Sequence, residues 1–305
     1  MKRWRDVLAE AAHRHGVVTR RALLDAGLSE GGVDRLVADG RLVVLSPGSY
    51  QIAGSPDCLQ ARVLGVIDSL DGQAWASHRT AARLHGVKVH GPAGVIDILR
   101  LNGLSARHAG VQVHRTTRLL AHHVTMVDRV PVTTVPRTIF DLARRTGPKV
   151  LDRAVEHALR DRLCTVGSLY RVLAEMGGRG RPGTVKMRNV LVARGRDYIP
   201  TKSDMELVGR ALLDDVPGIE WEVPMSDERG FIRSVDGRVA AAHLVVEFDG
   251  RTFHGRPADV DRDAAEDARL VVLGNVVQRL TWADLTVRAE ATRALIDRLV
   301  QGGAA

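Results

Sequence analysis

Aromatic side chains are scarce in this chain: four Trp, three Tyr and four Phe make up only 4% of 305 residues. Its cores must therefore be assembled from Ala, Val and Leu, within a hydrophobic fraction of 45% that suits a soluble globular protein. Cysteine is scarcer still. Cys58 and Cys164 stand alone with no CxxC or CxH partner, which excludes a thiolate metal site and fits small buried hydrophobes. No apolar run approaches the ~18 residues that a bilayer span requires, so membrane insertion is excluded. The N-terminus also lacks the apolar core of a secretory signal, because the basic Met1 to Arg5 leads into an amphipathic segment carrying His13, Arg14 and His15. A cytoplasmic protein is expected.

The chain does carry an excess of positive charge. A formal net charge of +8 and a pI near 10.1 favour a polyanionic partner, since Lys and Arg contacts to phosphates release counterions whatever the base sequence. The distribution matters more than the sum. Residues 177–202 hold seven basic residues against one acidic and are broken by Gly and Pro, which reads as a basic linker over 179–202. Arg179, Arg181, Lys186 and Arg188 are its phosphate-seeking residues. A length of 305 residues predicts two or three compact units.

Residues 1–55 alternate helical patterning with stop signals. Trp4 to Arg14 places Val7, Leu8, Ala11 and Ala12 at helical spacing, Gly16 ends it, and Thr19 is positioned to cap Arg20 to Ala26. After a tight turn at Gly27, Ser29 caps a third helix over Glu30 to Asp39. Arg41 to Leu45 and Ser49 to Ala53, joined by Pro47-Gly48, then read as a two-stranded wing. Helix, helix, turn, helix and wing is the winged helix-turn-helix order.

The second informative segment is VDGRVAAAHLVVEFDGRTFH, residues 235–254. His243 to Asp249 alternates as a strand, so Val245, Glu247 and Asp249 share one face and Val246 and Phe248 the other. Asp236 lies eleven residues before Glu247, across a turn expected at Gly237, and an antiparallel partner strand would bring the two together. Asp236-Gly237 and Asp249-Gly250 also read as plain hairpin turns. Glu247 resists that explanation, because a carboxylate interrupting the apolar run LVVEF is costly without a partner or a metal. Clustered carboxylates suit a hard cation such as Mg²⁺ or Mn²⁺.

With these residues in view, the C-terminal hundred residues resemble the endonuclease-like domain of the very-short-patch-repair type, a branch of the PD-(D/E)XK superfamily. Ser203 and Glu206 match its opening SxxE. Asp236 matches its motif aspartate, and Glu247, Asp249, Gly250 and His254 match its ExDGxxxH strand and turn. Asp263, Asp267, Leu270, Gly274, Arg279, Thr281 and Trp282 follow its later pattern. The superfamily's usual lysine is absent, with Asp249 in its place, and Glu266 stands where an arginine is more usual. The resemblance implies a mixed sheet flanked by helices, Asp236 and Glu247 on a divalent ion, Glu206 and Asp249 contributing, and His254 transferring protons.

Residues Gly16 to Ser29 and Gly40 to Tyr50 are similar to the N-terminal winged-helix domain of the AbiEi antitoxin family. That resemblance implies operator binding, with Ser29 to Asp39 in the major groove and the wing at the backbone. Thr19, Arg20, Ser29, Arg35, Arg41 and Tyr50 become the DNA-contact candidates. Between the two ends, ASHRTAARLHGV suggests a short helix capped by Ser77, and Val95 to Leu101 and Val111 to Arg115 suggest strands. His78, His85, His90, His108, His114, His122 and His123 fit no metal template and read as scattered surface or capping residues.

An α+β multidomain chain is thus expected: a winged helix over 1–55, an α/β middle region over 56–178, the linker, and an endonuclease-like domain over 203–301. The whole resembles an architecture common in actinobacterial proteins. Two functions compete, both requiring DNA. One is a metal-dependent DNA endonuclease. The other is an AbiEi-like repressor and antitoxin of a type IV toxin-antitoxin system, with a cognate toxin as partner and a silent nuclease-like domain.

Overall fold

The structure is a computed structural model describing residues 4–70, 73–89, 94–101, 109–177, 180–194, 200–249 and 257–303, with the backbone alone for Trp4 and residues 257–262. The chain is mixed α+β and divides into two compact units, Met1–Leu163 and Cys164–Ala305. Among the described residues, no helix is long and apolar enough to cross a membrane.

The first unit opens with α1 (Trp4–Ala12), β1 (Val17–Thr19), α2 (Arg20–Asp25) and α3 (Glu30–Ala38), followed by β2 (Leu42–Ser46) and β3 (Ser49–Ile52). Local chemistry explains the boundaries. Thr19 Oγ1 accepts from the Ala22 N–H at 3.1 Å and Ser29 Oγ from the Gly32 N–H at 3.1 Å, each satisfying an orphan donor of the first helical turn. Gly27 and Gly48 sit at φ +95° and +72°, a region that favours glycine, and turn the chain between α2 and α3 and between β2 and β3. The three strands order as β1-β3-β2, so the expected two-stranded wing gains a third strand from residues 17–19. Val7, Ala11, Val18, Leu23, Val33, Leu42 and Tyr50 form the core beneath.

Residues 1–55 and the expected middle region as far as Leu163 belong to one unit, and the rest of that region, from Cys164, belongs to the second. Val17 joins the core of Ala61, Val63, Leu64, Ile67, Ile98 and Val132, and Arg14 pairs with Asp68 at 2.8 Å. That core fills one side of a mixed sheet ordered β6-β5-β4-β8-β7. Its elements are α4 (Leu59–Asp68), β4 (Trp75–Ala76), α5 (His78–Leu84), β5 (Ile96–Leu101), β6 (Val111–Thr116), β7 (Val124–Val127), β8 (Val130–Thr133), α6 (Val135–Arg145) and α7 (Pro148–Arg160). The histidines expected at the surface depart from that reading: His78, His114 and His123 are 5%, 9% and 0% exposed. His90 and His108 lie outside the described residues.

The second unit begins with α8 (Val166–Met176), α9 (Thr184–Arg194) and α10 (Lys202–Leu213). Much of the expected linker is therefore helix, with Met187 and Leu191 one turn apart and fully buried. Then come β9 (Ile219–Asp227), β10 (Gly230–Val239), β11 (Leu244–Asp249), α11 (Pro257–Val272), β12 (Val276–Thr281), α12 (Trp282–Leu285) and α13 (Ala289–Gly303). The sheet order is β12-β11-β10-β9, and only β11 and β12 are parallel, the pairing that needs α11 as a crossover. Gly237 is not a turn residue. It pairs with Val246 and Trp221 inside β10, where an added Cβ would lie 2.9 Å from the Trp221 ring, and the connection to β11 runs instead through a short 3-10 segment ending at His243.

Candidate functional site

Two groups of sequence-predicted residues can be followed into the fold. In the first, α3 and the β2-β3 hairpin carry the expected DNA face. Thr19 and Ser29 spend their hydroxyls on helix caps. Arg20 is held internally: Nη1 donates to Asp34 Oδ1 and to Tyr50 Oη, both at 2.9 Å, and Nε to Glu30 Oε2 at 2.6 Å. These partners, Asp34 first, raise the guanidinium's pKa above its ordinary value. Tyr50 itself is buried beneath the hairpin. The acids of α3 are thus answered from α2. Arg35 and Arg41 are exposed and, among the described residues, carry no ion pair, which leaves them available to an external anion.

The basic residues of the next segment are more constrained than a linker would make them. Arg181 Nη1 donates to the Met176 carbonyl at 2.8 Å, and Arg188 pairs with Glu290 at 2.9 Å. Lys186 is half-buried on α9, and Arg179 lies outside the described residues.

In the second group, antiparallel β10 and β11 bring Asp236 and Glu247 together as the strand argument requires. Asp236 Oδ2 accepts from the Phe248 N–H at 2.7 Å, anchoring the carboxylate to the neighbouring strand. Glu247 faces the α11 side, the face on which Val245 packs against Leu270. Burial, the largest cause, pushes its carboxyl up to about 7; nearby Arg233 opposes the shift and Asp236 adds to it. Arg233 Nε stands 3.1 Å from Glu247 Oε1, close enough for charge pairing. Among the described residues neither atom has an aligned hydrogen-bond partner, so none of them gives this buried carboxylate oxygen a donor.

The surrounding charges form a network rather than an open acidic cluster. Arg233 Nη2 reaches Asp267 at 2.6 Å and its Nη1 Glu266 at 3.6 Å, while Arg279 Nη2 reaches the other Asp267 oxygen at 2.7 Å. Arg279 sits opposite Glu247 in the β11-β12 register and feels the Asp249 charge. Glu206, on α10, pairs with Lys202 at 3.7 Å. His254 and Gly250 lie outside the described residues. Among the described residues, Glu206, Asp236, Glu247 and Asp249 bring no three ligand atoms within 4.8 Å of one another. Sequence reasoning missed Arg233. The signal was available: a basic residue in the half-buried strand FIRSVDGRV demands a carboxylate partner.

Residues 5–53, spanning α1 to β3, match a family described as a transcriptional regulator, AbiEi antitoxin. Over 270 residues the chain is 29% identical to two proteins of Mycobacterium tuberculosis, the uncharacterized proteins MT2308 and Rv2248, covering 86% of this chain and 92% of each relative. The crystal structure of the RV2827C protein of Mycobacterium tuberculosis is also similar, at 16% identity and a TM-score of 0.44, over 67% of this chain and 80% of that one. The N-terminal part of the chain, where α2, the Gly27 turn, α3 and the β2-β3 hairpin lie, is thus similar to a regulator family of the antitoxin type.

Proposed function

We propose that this chain is a DNA-binding transcriptional regulator of the AbiEi antitoxin type, whose residues 4–53 form a winged helix. The observation that carries the proposal is the agreement of the family match over 5–53 with the helix-turn-helix order of α2 and α3 and the hairpin behind them. Arg35 at the end of α3 and Arg41 at the start of the hairpin are the phosphate contacts, because no described residue pairs with their charges. With Arg20 tied to Glu30 and Asp34, few groups remain to read base edges, and much of the affinity comes from the backbone. A cognate toxin protein is the expected partner. The test is a gel shift on DNA upstream of the gene, with excess competitor. Arg35→Ala and Arg41→Ala should each weaken binding uniformly across sequences and reduce the salt slope by about 0.9. A salt slope unchanged in both variants would refute the assignment.

A second reading, of the C-terminal unit as a metal-dependent DNA endonuclease, is favoured by one observation: the buried Glu247 Oε1 that lacks a donor beside Asp236. An oxygen of this kind fits a divalent cation, and the helix and strand order from α10 to β12 is compatible with the PD-(D/E)XK fold. Asp236 and Glu247 would hold Mg²⁺ or Mn²⁺, with Glu206 and Asp249 contributing and His254 for proton transfer. When bound, such an ion polarises a phosphoryl oxygen and activates water. For that, Arg233 must release Glu247, its charge then resting on Asp267 and Glu266. Cleavage of plasmid or mismatched DNA in Mg²⁺, lost in Asp236→Ala and Glu247→Ala, would support this reading. No cleavage together with unaltered DNA binding in both variants would leave the regulator alone.

A further inference from the structure

In the first unit, α5, β5, β6 and the end of α6 enclose a cavity of about 70 Å³ lined by His78, Arg79, Asp97, Gln112, His114 and Arg145. Its walls are fixed by a dense corner. The Ser77 N–H donates to the Asp97 carbonyl at 2.9 Å, and the Asp97 N–H donates to Thr80 Oγ1 at 2.8 Å. The buried Asp97 carboxylate holds His114 Nε2 at 2.7 Å. The His114 ring stacks on that of His78, centroids 3.6 Å apart at 21°, and His78 Nδ1 meets Ser77 Oγ at 3.0 Å. His78 adopts this position at φ +47°, a left-handed conformation uncommon for a residue with a Cβ and found preferentially at functional sites.

These contacts use one nitrogen of each imidazole. Among the described residues, His78 Nε2 and His114 Nδ1 have no protein partner. Among the described residues Arg79 Nε, which is buried, has no hydrogen-bond partner, and Arg145, exposed at the rim, has no ion pair. Asp97 is the one carboxylate of the lining among the described residues, and His114 engages it. The local field is accordingly positive: burial, then His114, Arg145, Arg144 and Arg137, push His78 down to about 2. Two guanidiniums would repel a cation. The volume holds several water-sized spheres, room for a tetrahedral oxyanion but not for a nucleobase.

We propose that this cavity binds a phosphoryl-type oxyanion, with Arg79 and Arg145 supplying the charge, His78 donating through its spare Nε2, His114 stacked against that ring, and Gln112 offering an amide at the rim. Arginine is suited to this work because its planar fork donates to two oxygens at once. The ligand is either free inorganic phosphate or the terminal phosphate of a nucleic-acid strand, and both present the same dianion.

The test uses the full chain. Inorganic phosphate is titrated by calorimetry, and the histidine ring resonances are followed by ¹⁵N NMR. Saturable one-to-one binding is expected, with the His78 and His114 rings shifting while exposed His122 stays still. Arg79→Gln and Arg145→Gln should each weaken binding about 10- to 100-fold, the loss of one charge-assisted contact, and Arg79→Lys should retain part of it. Arg145 is exposed, so its variant tests the site even if replacing Arg79 disturbs folding. Displacement of bound phosphate by a 5′-phosphorylated but not a 5′-hydroxyl oligonucleotide would support the site and assign it to a strand end. Displacement by neither would support it as a site for the free ion. No saturable binding at millimolar phosphate, an undiminished affinity in Arg145→Gln, or equal displacement by both oligonucleotides would overturn the proposal.

Discussion

Replacing Arg137 by Met should cost the first unit about 3–5 kcal/mol, the usual penalty for removing one partner of a buried ion pair. Arg137 is 1% exposed and Asp141 3%. The guanidinium Nε donates to both Asp141 oxygens, at 3.2 and 3.1 Å. Nη1 lies 3.0 Å from His123 Nδ1 and donates to the Arg118 carbonyl at 3.3 Å. Methionine fills comparable space but satisfies none of these groups. Burial already raises the Asp141 carboxyl above its ordinary value, and Arg137 is what pulls it back. A raised carboxyl contributes stability that is fully present below its unfolded pKa and lost as pH rises through the folded one. Without Arg137 the folded value climbs further, so the deficit should be larger at about pH 8 than at about pH 5. Urea unfolding followed by circular dichroism at both pH values measures it. A deficit below about 1 kcal/mol at the higher pH, or one independent of pH, would refute the reasoning. Arg137→Met/Asp141→Leu should recover most of the loss, because what is costly is the uncompensated charge.

Gly209→Ala tests the packing of α10 on β11. Helix propensity alone would make this change stabilising by about 0.5–1 kcal/mol, but an added Cβ would overlap the Phe248 ring. A loss of about 1–3 kcal/mol is therefore expected from thermal melts read by tryptophan fluorescence, and a gain would contradict the contact. His78 gives the acid response of the first unit its sign. Its folded pKa is depressed, so its contribution is complete above the unfolded value of 6.5 and lost as pH falls; between about pH 7 and pH 5 it amounts to roughly 2 kcal/mol. His78→Gln should flatten that part of the stability profile, and an unchanged profile would show the ring to be freely protonated.

The N-terminal segment was legible because its signals are local. Thr19, Ser29, Gly27 and Gly48 each act on the backbone within a few residues of themselves, so a cap or a turn can be read from one position. Strand β1 escaped because three residues are too few to display a period of two. Residues 184–194 looked like linker because Gly, Pro and Arg dominate the composition around them, while the buried pair Met187 and Leu191 is a thin apolar stripe. Asp236-Gly237 read as a turn for a related reason: glycine there answers the approach of Trp221 from the neighbouring strand, a constraint that no local rule contains. The strand alternation around Glu247 was readable, but its arginine partners come from β10 and β12. The histidine cavity lay beyond spacing rules altogether, since its walls come from α5, β5, β6 and α6.

The same distinction bears on what the net charge of +8 means. Much of the arginine in both units is committed to carboxylates: Arg14 to Asp68, Arg20 to Glu30 and Asp34, Arg137 to Asp141, Arg233 and Arg279 to Asp267, Arg269 to Asp227. Such pairs cannot also neutralise phosphates without leaving an acid uncompensated, so the total charge overstates the number of DNA contacts. Arg35 and Arg41 are free of that constraint. Each phosphate contact contributes about −0.9 to the slope of log affinity against log salt. A slope of only a few units would follow from contacts by such uncommitted arginines. A slope near −8 would require contacts well beyond Arg35 and Arg41, and among the paired arginines the readiest to be recruited is Arg20, whose acid partners stand exposed on α3.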